Sequence, residues 1–219
     1  MSRVLITGAS GQAGGGVVDA FLASGWQVAG TTRGAAPDDA AAGVTWVPMD
    51  LADEASTRAG TARAVQEIGG LDAVVCLAGG FRLTPIDEAG WDDFAAMIDL
   101  DFRPTVQAVL AALPHLGEGA SIVTIGAKAA QAPGPRSSGY AAAKAGVIAF
   151  SASLAAELRP RGIRVNCVLP GTIDTPANRD SMPNAKTANW VTPRRLGELI
   201  RYLASPDSAP LTGAAIPIG

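Results

Sequence analysis

The sequence predicts a doubly wound α/β domain, with helices on both faces of a parallel sheet of about seven strands. Three observations point there. Short runs of Val, Ile and Leu alternate along the chain with longer stretches of helical periodicity; strands covered on both faces read as continuous apolar runs. A glycine-rich turn follows the first run directly. No linker, internal repeat or low-complexity stretch divides the 219 residues, so one domain over 1–219 is expected.

The elements follow in order. Residues 4–7 read as the first strand and 14–24 as a helix ending near Gly25. The second and third strands are expected over 26–31 and 44–48. Residues 53–68 have helical periodicity with Asp53 as the cap. A fourth strand over 72–77 precedes one long helix over 92–113, and a fifth strand covers 121–126. The helix over 138–158 is closed by Pro160. A strand over 164–169, a helix over 193–204 and a last strand over 214–218 complete the pattern. Segments 34–43 and 127–137 are the expected mobile loops, and 175–192 the expected substrate lid.

Composition excludes several classes. With 20 acids against 17 bases and a net charge of −3, there is no basic stripe for a nucleic acid. Cys76 and Cys167 lie in apolar strand-like runs and read as buried thiols, which suits a reducing cytoplasm. The first residues enter a strand with no signal peptide ahead of them, and no apolar run reaches the ~18 residues of a membrane span. A cytoplasmic protein without a membrane partner is therefore expected. The lone His115 has no metal-ligand partners near it and no metal site is expected. Of the Trp residues, 26, 46 and 91 read as packing residues, and Trp190 in the lid as a pocket residue.

Two motifs carry chemistry. In Thr7-Gly8-Ala9-Ser10-Gly11-Gln12-Ala13-Gly14 the glycines permit a tight turn and close backbone approach to a pyrophosphate seated on a helix N-terminus. Gly8, Ser10, Gly11, Gln12, Ala13 and Gly14 are the candidate phosphate-binding residues of what reads as a Rossmann turn. Far downstream, Tyr140 and Lys144 stand four apart in Tyr140-Ala141-Ala142-Ala143-Lys144. On a helix they share a face. An ammonium near a phenol favours the phenolate, so Lys144 is expected to lower the Tyr140 pKa from about 10 toward the range of a working acid catalyst.

The end of the second strand selects the dinucleotide. An acid there would bond the ribose 2′-hydroxyl and repel a 2′-phosphate. This chain has Thr31-Thr32-Arg33, and its next acids are Asp38 and Asp39. Thr32 and Arg33 can hold a phosphate, so NADPH is expected as the preferred cofactor, with NADH possible. A solvated loop charge is the other reading of Arg33.

A glycine turn near the N-terminus with a distant YxxxK resembles the short-chain dehydrogenase/reductase family, and the likeness spans essentially the whole chain. It implies further cofactor contacts: Asp50 and Leu51 at the adenine; Ala78, Gly79 and Gly80 after the fourth strand; and Pro170-Gly171-Thr172-Ile173-Asp174-Thr175-Pro176, where Ile173 and Thr175 would hold the nicotinamide carboxamide. It implies Tyr140 as the acid and Lys144 as the cation that tunes it and bonds the nicotinamide ribose. It also implies a homodimer or homotetramer built on the helices 92–113 and 138–158.

The chain departs from the family pattern at several positions. The middle glycine of the turn stands one position early, with Gln12 in the usual place. The serine that polarises a carbonyl normally lies thirteen residues before the Tyr, which here is Ala127, and the helix asparagine aligns with Asp101. The dihydropteridine reductase branch shares these last departures. Leu71–Gly80, 126–130 and the run from Asp174 to Pro183 are similar to its segments, although the animal enzyme has an acid at the place of Thr32. The resemblance implies hydride transfer to a small, conjugated, electron-poor acceptor such as a quinonoid dihydropterin. The alternatives are a carbonyl reductase of the same family lacking the usual Ser, and a catalytically silent NADPH-binding sensor.

Overall fold

The computed structural model describes residues 1–37 and 41–219; Asp38 and Asp39 lie outside them. Seven parallel strands form one sheet in the order β3-β2-β1-β4-β5-β6-β7: β1 Arg3–Thr7, β2 Gln27–Thr32, β3 Val44–Pro48, β4 Leu71–Cys76, β5 Leu116–Ile125, β6 Arg164–Pro170 and β7 Ala215–Ile218. The order reverses between β1 and β4, and that reversal opens a crevice beyond the strand carboxyl ends.

Strand side chains alternate between two apolar layers. Leu5, Val74, Ile122 and Val165 face one layer, where they meet α2 (Glu54–Ile68), α4 (Arg103–Ala112) and α5 (Ser138–Leu158). Val4, Ile6, Val75 and Val123 face the other, where they meet α1 (Gly14–Ala23) and α7 (Pro193–Ala204). Phe21 is fully buried there and packs edge-on against Trp26 with ring centroids 5.1 Å apart. Both cysteines are free and buried, and burial pushes the Cys76 thiol up to about 12, so it stays neutral and inert.

The expected long helix over 92–113 is corrected. It is interrupted: α3 (Trp91–Met97) runs into a π-turn, Ile98–Phe102, and α4 follows. Pro104 sits in the first turn of α4 and has no N–H for the preceding carbonyls, so the ladder resets just ahead of it. Trp91, expected to pack, is 74% exposed at the start of α3. A further helix, α6 (Pro176–Ser181), lies inside the segment expected only as a lid. By length and composition α5 could cross a membrane, contrary to the expectation from apolar runs. Here its buried residues, among them Val147 and Leu154, pack on the sheet as a core helix.

Candidate functional site

The glycine turn is shaped by the neighbouring strand ends. Gly8 has φ +70, and a Cβ there would stand 2.8 Å from the Ala78 backbone, so only glycine fits where β1 and β4 converge. Its N–H donates to Thr31 Oγ1 at 3.0 Å, and Ala78 N–H donates to Thr7 Oγ1 at 3.4 Å. Gly11 N–H donates to Gly8 O and Gly14 N–H to Gly11 O, which curls the turn into α1. Among the described residues no side chain caps α1, its first turn carries no acid, and Ser10, Gly11 and Gln12 are exposed above it. Backbone donors left open at a helix start fit a pyrophosphate. The early glycine leaves Gln12 able to reach elsewhere. Its Oε1 accepts from Ala177 N–H at 3.2 Å and ties the turn to α6.

The remaining expected cofactor residues line the same edge. Thr32 is buried, and its hydroxyl donates to Ala35 O at 3.1 Å, so it shapes the loop rather than projecting from it. Arg33 is exposed and makes no ion pair among the described residues. The exposed Asp50 accepts from Ala52 N–H at 2.9 Å through Oδ1, while Leu51 is half-buried against the core. Pro170 ends β6, and Gly171 N–H donates to Ile218 O. Ile173 pairs with Val191, and its carbonyl accepts from Asn178 Nδ2 at 2.8 Å. Thr175 caps α6 by accepting from Asn178 N–H at 3.3 Å, which leaves its own O–H to donate. A Thr followed by Pro is the sequence signal for this missed helix, a capping oxygen before a residue pre-set for the first turn.

Tyr140 and Lys144 lie on α5, as the spacing required. Their environment differs from the expectation in one respect. Lys144 is buried and its Nζ donates to Ile125 O at 3.0 Å and to Asp101 Oδ1 at 3.0 Å. Asp101 is fully buried in the π-turn and also accepts from Gly80 N–H at 3.1 Å. Two of the three ammonium donors are engaged, and one remains for a ribose hydroxyl. The expected lowering of the Tyr140 pKa is therefore corrected: the phenol is pushed above its ordinary value, first by burial and then by the Asp101 charge. Sequence reading marked Asp101 as a departure but could not find its partner, because the two residues are 43 positions apart, 144 minus 101.

Two neighbours of Tyr140 had no sequence signal. Phe81, 55% exposed, packs edge-on against the Tyr140 ring at 4.7 Å. Arg136, in the left-handed region at φ +67, holds the loop ahead of α5, where its carbonyl accepts from Thr84 N–H at 2.9 Å. Ala127 is buried where a serine hydroxyl would stand, and Ser137 donates its hydroxyl to Gly134 O at 2.7 Å. Beside the ends of β6 and β7 lies an open cleft of about 490 Å³. It is lined by Trp190, Gly171 and three cations, Lys128, Lys186 and Arg195, with no carboxylate side chain among the described residues around it.

A sequence profile described as Enoyl-(Acyl carrier protein) reductase matches residues 8–218. This chain belongs to the short-chain dehydrogenase/reductase family. Trans-4-hydroxycyclohexanecarboxylate dehydrogenase of Sinomonas cyclohexanicum is 32% identical to it over 79% of this chain and 68% of that protein. The 2-(R)-hydroxypropyl-CoM dehydrogenase of Xanthobacter autotrophicus is 30% identical over 99% of this chain and 96% of its own. Among solved structures, 3-ketoacyl-(acyl-carrier-protein) reductase from Brucella melitensis, complexed with NADH, superimposes with a TM-score of 0.87 at 25% identity, covering 99% of this chain and 96% of that one. A blue fluorescent protein from a metagenomic library, in complex with NADPH, gives 0.88 at 26% identity over 99% and 95%. The protein is an NAD(P)-dependent oxidoreductase of this family.

Gly79 packs directly against the buried ion pair: a Cβ there would lie 2.6 Å from Asp101 Oδ1 and 3.2 Å from Lys144 Nζ. Gly79→Ala is expected to displace both side chains and lower turnover on the order of 10²-fold. Steady-state assays, with circular dichroism to verify folding, check this; wild-type turnover in a folded variant would show that the pair tolerates the displacement.

Proposed function

We propose that this protein uses NADPH to reduce a small, conjugated, electron-poor acceptor of the quinonoid dihydropterin kind, in the manner of dihydropteridine reductase. The observation that carries this reading is Ala127, buried at the place of the family's carbonyl-polarising serine. A ketone develops alkoxide charge on one oxygen and needs a donor there, a contribution on the order of 10²–10³ in rate. A conjugated ring spreads the incoming charge over its own atoms and needs no such donor. The bound dinucleotide supplies the hydride. Tyr140 gives its proton to the reduced acceptor and regains one from water, Lys144 orients the ribose through its open donor, and Phe81 walls one side of the phenol.

A second reading has its own support. The cleft with Lys186 and Arg195, beside Lys128 whose Nζ donates to Gly219 O, suits a ketone or alcohol bearing an anionic group, and one relative's name specifies a carboxylate. Feeding the purified protein quinonoid dihydropterin and a panel of neutral and carboxylated ketones, while following NADPH absorbance, separates the two. Turnover of the pterin is expected; turnover of ketones alone would replace the first reading with the second. With either acceptor, Tyr140→Phe is expected to preserve cofactor binding and cut turnover by ~10²-fold or more.

The preference for NADPH rests on Arg33, exposed directly after β2. Charge-assisted hydrogen bonds contribute about 1.5–3 kcal/mol, which gives a preference for NADPH over NADH of roughly tenfold to a hundredfold. The double change Thr32→Asp with Arg33→Val is expected to reverse it, by repelling the phosphate and bonding the ribose hydroxyl. Cofactor titrations by fluorescence read this, and equal wild-type affinities would leave Arg33 a solvated charge.

The outer face of α5 presents Ala142, Ala145, Ala149, Ala152 and Ala156, all exposed at helical spacing, and Leu110 on α4 is 50% exposed. Small side chains let a second helix approach closely, and two-fold assemblies are the commonest. A homodimer or homotetramer joined through α4 and α5 is expected. Light scattering at micromolar concentration measures the mass, and a monomer would overturn the assembly.

A further inference from the structure

Asp101 holds a charge that the family pattern does not have, and it holds it where the proton donor can feel it. The carboxylate is fully buried on the π-turn, its Oδ1 is 3.0 Å from Lys144 Nζ, and its Oδ2 has no hydrogen-bond partner among the described residues. Tyr140 stands one turn ahead of Lys144 on α5. A lone ammonium at that place would draw the phenol toward phenolate. A carboxylate in contact with the ammonium leaves the pair with no net charge. We propose that Asp101 is a positioning residue that cancels the Lys144 field at Tyr140 and so holds Tyr140 in its proton-bearing form, the form reduction requires.

The proposal rests on the reading that Tyr140 donates the proton. It is supported by the raised phenol, in which Asp101 is the second cause after burial. The other groups facing this region are unlike Asp101. Arg82 and Asp93 line the crevice beside Tyr140 as a pair 4.0 Å apart, and Arg136 lines it from the exposed loop ahead of α5. Near Lys144 the Cys167 thiol is kept neutral, again chiefly by burial. None of these opposes Lys144 at contact distance; Asp101 does.

The chain has two tyrosines, Tyr140 and Tyr202, so the ionisation of Tyr140 can be read directly from tyrosinate absorbance after subtracting the Tyr140→Phe protein. In wild type the Tyr140 midpoint is expected above the free value of about 10. In Asp101→Asn, which keeps the size and an acceptor for Gly80 N–H, it is expected to fall by about one pH unit or more. The alkaline limb of acceptor reduction should move down with it. A merely structural role for Asp101 would leave the midpoint in place. Asp101→Ser, smaller and also uncharged, provides the same comparison should the Asn protein fail to fold. Coincident midpoints in wild type and the uncharged variants, or a wild-type midpoint below about 10, would overturn the proposal. The titration needs no acceptor, so it reads the same whether or not the pterin is turned over.

Discussion

The buried contact between Asp101 and Lys144 joins four parts of the molecule at one point. Through Asp101 it fixes the π-turn, through Lys144 it fixes α5, and through Gly80 N–H and Ile125 O it fixes the segments leaving β4 and β5. A buried pair of charges is a poor source of stability, because desolvation offsets most of the attraction. Its effect here is one of placement. Removing either partner alone would strand a charge in the interior, so the chain is held to the one arrangement that sets Tyr140 beside the crevice. Among the described residues Asp101 Oδ2 has no hydrogen-bond partner.

The close approaches around this point depend on missing side chains. Gly8 lets β1 meet β4, and Gly79 lets the following loop pass over the ion pair. On the other face of the sheet, a Cβ on Gly197 would stand 2.4 Å from Gly16 O, so α7 can lie against α1 only because both positions are glycine. The result is a crevice with backbone donors on one side and a phenol on the other, tied across its mouth by Gln12 and the Ala177 N–H. The helix before α4 is interrupted at the site: its π-turn carries the buried Asp101, a local distortion of the kind often found at functional sites.

Much of this was legible in the chain. Continuous apolar runs, such as Val4 to Ile6 in β1 and Ala73 to Val75 in β4, name the parallel strands, because burial on both faces removes the need for alternation. The α5 boundaries, the Asp53 cap and the free cysteines were equally readable, since each depends on residues close in sequence. The α6 helix was readable in principle from Thr175 and Pro176. The break at 98–102 was not, because Pro104 is tolerated in a first helical turn and nothing local states whether the turn before it continues or resets.

The sequence by itself determined the doubly wound sheet, the place of the glycine turn, the shared face of Tyr140 and Lys144, and the absence of a serine at 127. These follow from periodicity, from glycine spacing and from residue identity. Only the tertiary structure decided the electrostatics. Spacing along α5 implied that Lys144 would ease the ionisation of Tyr140, but a carboxylate from another helix sits against Lys144, and burial and that charge both push the phenol up, burial more. Short-range pattern fixes which groups are present on a face; the field each one feels is a sum over neighbours distant in sequence, and that sum exists only once the chain has folded.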